Sequence, residues 1–201
     1  LRRWGLWAVA AVLIVALGVA VFVARDAGST GANSPDALQS SVGGPFKLVD
    51  QTGAPADEGR LRGKWSAVFF GYTYCPDVCP TTLATLGQAT TALGARGARF
   101  QVVFITVDPE RDTPAALASY LASPTFPRTT IGLTGSLAQV ASVAKAYHVY
   151  FQKVPQGSSY SMDHSAVVYL MDPRGRFVRP LDVGVAPPAI ARQITSAMDA
   201  G

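Results

Sequence analysis

The 201-residue chain has only two cysteines, Cys75 and Cys79, and only two histidines, His148 and His164. A closed structural zinc site takes four such ligands and would need all of them. Excess charge of one sign is also small. The formal net charge is +4, from 17 basic and 13 acidic residues. Arg2, Arg3 and Arg25, opposed by Asp26, lie at the start, and the other 14 basic and 12 acidic residues leave +2. No basic block with interleaved aromatics occurs, which sets nucleic acid aside as a partner. No internal repeat is visible.

One long hydrophobic run is present. Trp4 to Val23 is uncharged for twenty residues, about the length a helix needs to cross the hydrocarbon core. Arg2 and Arg3 precede it, which favours a cytoplasmic N-terminus. The alternative is a cleaved signal peptide, whose apolar region is shorter, about 7–15 residues. Both readings send the rest of the chain out of the cytoplasm. No cysteine lies just after the run, which excludes lipid attachment there. The expected organisation is an anchor with a short cytoplasmic start over 1–25, a small and polar linker over 26–41, and one domain over 42–201. That domain is large enough to bury a core.

Within the domain, residues 45–51 alternate apolar and polar and predict a strand. Trp65 to Phe70 and residues 99–108 are β-rich apolar runs, the pattern of strands buried on both faces. Helices are predicted from Pro80 to about Leu93, from Thr113-Pro114 to about Ala122, and from Pro187 to about Met198. Another starts at the Gly135-Ser136 cap, with Leu137, Val140, Val143, Ala144 and Tyr147 on one face. His148–Val154 and residues 165–172 read as strands. Residues 172–175, DPRG, form a turn candidate leading to a strand at Phe177–Leu181. This order is a parallel βαβ unit, then a hairpin and a terminal helix. It predicts an α/β, thioredoxin-like fold with a central mixed sheet flanked by helices. The stretch YTYCPDVCP, Tyr72 to Pro80, then lies at the C-terminal end of a strand and the N-terminus of a helix, where open α/β sheets bind ligands.

A helix N-terminus favours thiolate over thiol, which suits a redox pair or a metal ligand. The C-x-x-x-C spacing is wider than the C-x-x-C of thioredoxin-type pairs and does not forbid a disulfide. Three roles stay open: a reversible redox disulfide between Cys75 and Cys79, a fixed staple, and two arms of a metal site. Cu(I) accepts two thiolates and one imidazole, so a copper site needs a histidine. His148 reads as a surface or packing residue. His164 comes after the polar loop GSSYS and precedes a buried strand. Met162 beside it reads as packing. Asp77 reads as a helix cap, with a secondary role as a hard Cu(II) ligand as the alternative. Asp108, Glu110, Arg111 and Asp112 form a charged turn that lines the site, docks a partner, or is simply solvated.

Four motifs occur in one order: FFGYTYCPDVCP, VFITVDPERDTP, GLTGS with VAKAYHVYF, and MDHSAVVYLMDPRGRF. Together they resemble the SCO/SenC family of copper proteins, from about Phe46 to about Pro188. The resemblance implies a thioredoxin-like, membrane-anchored protein with its domain outside the cytoplasm. It implies copper ligation by Cys75, Cys79 and His164, as Cu(I) with Cu(II) a second state. It also implies a metallochaperone role in building the dinuclear copper centre of cytochrome c oxidase. The implied partners are oxidase subunit II or its assembly factors, and a thiol reductant. The alternative is an enzyme, a thiol–disulfide oxidoreductase that reduces partner cysteines.

Overall fold

The computed structural model describes residues 42–201. The predicted anchor and linker lie outside the described residues. Among the described residues, no helix is long and apolar enough to cross a membrane.

The sheet is built around two strands whose residues are all buried, β3 (Trp65–Gly71) and β4 (Phe100–Thr106). They pair in parallel from Trp65↔Phe100 to Gly71↔Thr106. Burial on both faces explains their mostly apolar sequence, and the buried Gln101 side chain donates to the Ser66 hydroxyl at 2.9 Å. Outward from β4, β5 (Thr130–Thr134) pairs in parallel, then β1 (Lys47–Asp50) and β2 (Pro55–Asp57) antiparallel. Outward from β3, β8 (Val168–Met171) and β9 (Phe177–Leu181) add antiparallel. The order is β2-β1-β5-β4-β3-β8-β9, a mixed sheet as the α/β, thioredoxin-like plan requires.

Four α-helices connect or flank these strands: α1 (Val78–Ala92), α2 (Pro114–Leu121), α3 (Leu137–Ala146) and α4 (Pro187–Ala200). α4 buries Ile190, Ile194 and Met198, one apolar stripe at four-residue spacing, and packs on α1. α3 starts on a full capping box. Ser136 accepts from the Gln139 N–H, and the Gln139 side chain accepts from the Ser136 N–H. Val140, Val143, Ala144 and Tyr147 are buried as predicted, but Leu137 is 54% exposed.

Two strands escape the sequence reading. β5 contains Gly132, which reads as a strand breaker. A Cβ there would come within 2.6 Å of Leu121 Cδ1 and 3.4 Å of Leu117 Cβ, so the glycine leaves room for the leucine side chains of α2. The second is β7 (Ser159–His164), predicted as a polar loop. It pairs antiparallel with β6 (Phe151–Gln156) from Phe151↔His164 to Gln156↔Ser159. This ribbon is a separate two-stranded sheet, and His164 ends it. The strand predicted over His148–Val154 therefore begins later, at Phe151.

Candidate metal centre

β3 delivers the chain to the site, and the alternation of its side chains decides what each face receives. Phe70 meets Tyr147 and Tyr169, with ring centroids 5.4 and 6.5 Å away. Phe69 faces the other way, toward Phe104 at 5.9 Å. Gly71 shares the Phe69 face. A Cβ on Gly71 would lie 2.8 Å from Cys79 Sγ and 2.7 Å from the Phe104 ring. The missing side chain is the space in which the sulfur sits.

Cys79 lies in the first turn of α1 and is fully buried. Cys75 is half-buried in the preceding loop, and both cysteines are free thiols. The Cys79 N–H donates to Cys75 Sγ at 3.4 Å, and the Cys75 N–H donates to the Tyr72 carbonyl at 3.2 Å. The helix N-terminus does not make Cys79 a low-pKa thiol, contrary to the sequence expectation. Burial pushes it strongly up, and the nearby Tyr72 N–H offsets this only in part. Asp77 occupies the N-cap position as predicted, but its side chain makes no cap hydrogen bond. It is exposed and accepts instead from the Thr81 hydroxyl at 3.2 Å.

His164 reaches the same place from the ribbon. Its Nε2 lies 3.7 Å from Cys79 Sγ, and its ring stands edge-on to Tyr72 at 5.9 Å. Its Nδ1 lies 3.1 Å from the Ser165 carbonyl. A carbonyl only accepts, so Nδ1 carries the proton and Nε2 is a bare lone pair. Burial holds the imidazole below its ordinary pKa, against the raising effects of Ser165 and Asp163. A neutral ring with its other nitrogen fixed by a hydrogen bond is the form that ligates metal. With zinc-type bonds of about 2.3 Å to a thiolate and about 2.0 Å to an imidazole, an ion sets those donors about 3.5–3.8 Å apart. The observed 3.7 Å fits. Among the described residues, no three ligating side chains are already gathered as a metal cluster. The pair that meets is Cys79 with His164, and the Cys75 sulfur faces the Cys79 amide.

The other candidates are placed clearly. His148 is exposed, at φ 54 after α3, a helix-end residue rather than part of the site. Met162 is buried in the core. The 108–112 turn is structural as well as charged. Asp112 is fully buried and accepts from the Thr73 N–H (3.0 Å), the Thr73 hydroxyl (2.6 Å) and the Thr106 hydroxyl (2.6 Å). It therefore anchors the cysteine loop to the end of β4. The sequence reading missed Tyr72, whose ring touches His164 while its carbonyl holds Cys75. Its signal was position, one residue past a buried strand and three before a cysteine.

The model of the SCO1/SenC family matches residues 34–199. The chain belongs to the SCO1/SenC family. The mitochondrial protein SCO1 of Saccharomyces cerevisiae is 44% identical over 145 residues, covering 70% of this chain and 48% of the relative. The SCO2-like protein of Rickettsia conorii is 38% identical over 141 residues, covering 69% of this chain and 68% of the relative. The chain thus spans about half the length of the yeast relative and two thirds of the rickettsial one. Among solved structures, this SCO1/SenC chain is similar to Bradyrhizobium japonicum ScoI with copper bound, at a TM-score of 0.72 and 44% identity. That match covers 77% of this chain and 98% of the other. Yeast Sco1 with copper bound is similar at a TM-score of 0.73 and 39% identity, over 80% and 90% of the two chains.

Proposed function

We propose that this chain is a copper metallochaperone that holds Cu(I) through Cys75, Cys79 and His164. The observation that carries this is the 3.7 Å approach of the bare His164 Nε2 to Cys79 Sγ. Soft thiolates with one neutral imidazole suit Cu(I). The copper-bound state of the Bradyrhizobium and yeast relatives supports the same reading. The cargo is destined for the dinuclear copper centre of cytochrome c oxidase, with oxidase subunit II or an assembly factor as the acceptor and a thiol reductant keeping the cysteines reduced. Residues 1–25 anchor the chain in the membrane, residues 26–41 tether it, and residues 42–201 work outside the cytoplasm. Asp77 is solvated and joins the copper set only for Cu(II).

The test is an anaerobic Cu(I) titration of the reduced protein against a chromogenic chelator. One tight equivalent in wild type, weakened in His164→Ala and lost in Cys75→Ser/Cys79→Ser, is expected. Binding indifferent to all three residues would sink the proposal.

A second reading, thiol–disulfide exchange, draws on the unequal burial of the two thiols. Half-buried Cys75 would attack a partner disulfide, and buried Cys79 would resolve the mixed disulfide. The products are a Cys75–Cys79 disulfide and two partner thiols. Metal-free reductase activity that survives His164→Ala would favour it.

A further inference from the structure

We infer that Arg111 is a positioning residue, whose guanidinium pins the ribbon carrying His164 onto the loop carrying the cysteines. The inference rests on the proposed copper function only for its effect on binding; the clamp itself is a property of the metal-free chain.

The ribbon needs such a device. β6 and β7 pair with each other and with no strand of the main sheet. Their hold on the body must therefore come from side chains and from the ends of the ribbon. Arg111 supplies several ties at once. Its Nη1 donates to the Tyr160 carbonyl at 3.0 Å, in the β7 backbone. Its guanidinium carbon lies 3.7 Å from the Tyr160 ring centroid. It also lies 4.6 Å from the Tyr74 ring and 5.8 Å from the Tyr72 ring, two aromatics just before Cys75. A flat cation within reach of aromatic rings from two separate elements draws them together.

Arg111 is itself fixed. Its Nε pairs with the Asp108 carboxylate, which is almost fully buried. The other Asp108 oxygen accepts from the Tyr160 hydroxyl at 3.0 Å. Lys153 of β6 adds an outer tie, pairing with Glu110 and lying 4.2 Å from the Tyr160 ring. One short turn thus grips both halves of the site: Asp112 holds Thr73 of the cysteine loop, and Arg111 with Asp108 holds Tyr160 of the ribbon. Lysine cannot replace this. It has no planar fork to serve Asp108 and the Tyr160 carbonyl together while stacked on rings.

The experiment compares the full chain in detergent with Arg111→Met and Arg111→Lys, each alone and in the His164→Ala background. Hydrogen exchange of the metal-free protein is the first readout. Arg111→Met is expected to speed exchange in residues 151–164 by about tenfold or more while β3 and β4 stay unchanged, with Arg111→Lys in between. Ribbon exchange like wild type, or equal acceleration in β3 and β4, overturns the inference. If Arg111→Met does not fold, the same criteria apply to Arg111→Lys. Cu(I) affinity is the second readout. Arg111→Met is expected to lower it about tenfold, and to have no further effect once His164 is alanine. An equal loss in both backgrounds overturns the link to His164. If His164→Ala alone does not weaken binding, the three-ligand reading fails, and the exchange data alone decide the clamp.

Discussion

His164 Nε2 stands 3.7 Å from Cys79 Sγ, although the two lie 85 positions apart in the chain. Neither residue owns that distance. Gly71 opens the space for the sulfur, and the Ser165 carbonyl fixes the ring. The copper reading depends on how stiffly these neighbours hold the two donors.

Gly71→Ala tests the sulfur's seat. The new methyl would meet Cys79 Sγ at 2.8 Å and the Phe104 ring at 2.7 Å, and neither is the free end of a flexible chain. Overpacking of this kind costs about 1–3 kcal/mol. The sulfur is the easier atom to displace, which moves it from His164. A lower urea midpoint together with weaker Cu(I) binding is the expected pair of results. Unchanged Cu(I) affinity would show that the Cys79 position is not critical.

The His164 ring gives a measurement that needs no metal. Nitrogen NMR of the metal-free protein should show the proton on Nδ1, because the Ser165 carbonyl that faces it can only accept. Burial lowers the pKa of this ring in the folded chain. The unfolded chain then binds more protons between its own pKa, about 6.5, and the depressed folded value. Stability from this group is complete above about pH 6.5 and declines as pH falls through that window. His164→Phe should flatten that part of the stability curve.

Asp112 links the end of β4 to the cysteine loop through Thr106 and Thr73. Alanine there would take the acceptor from two threonine O–H donors and one backbone N–H, each loss costing about 1–3 kcal/mol when buried. Water entering the gap recovers part, so Asp112→Ala should lose about 2–4 kcal/mol in denaturant unfolding. Burial raises this carboxyl's pKa despite those hydrogen bonds. The folded chain therefore takes up the Asp112 proton before the unfolded chain does. Its ionised form works against stability at neutral pH, and that penalty shrinks as pH falls through the raised value toward about 4.

The sequence carried the sheet centre because burial on both faces leaves a mostly apolar run at β3 and β4. It did not carry β5, where Gly132 serves α2 packing and resembles a break. It did not carry β7 either, because the SYSMDH strand pairs only with β6 and is mostly not buried, so no alternation marks it. The meeting of Cys79 with His164 is non-local, and spacing could not reveal it; motif resemblance did. The fate of the Cys79 thiol was misread because helix position was visible in the sequence and depth of burial was not. Arg111 was legible only as one charge in a turn that lines the site, docks a partner or is solvated, since the tyrosines it joins lie on two distant segments.

The burial of Cys79 has a consequence for metal binding. A thiol must lose its proton to ligate, and burial holds the Cys79 proton tightly in the metal-free chain. Below the raised pKa of Cys79, each unit rise in pH should therefore tighten Cu(I) binding by about tenfold for this thiol alone. A chelator competition at several pH values from about 6 to 8, with the chelator's own protonation corrected, gives the slope. Cys79→Ser should reduce that slope by about one proton as well as weakening binding. A slope near zero in wild type would mean that Cys79 is already a thiolate before copper arrives. The helix N-terminus would then outweigh burial, and the exchange chemistry of a low-pKa dithiol would gain at the expense of the chaperone.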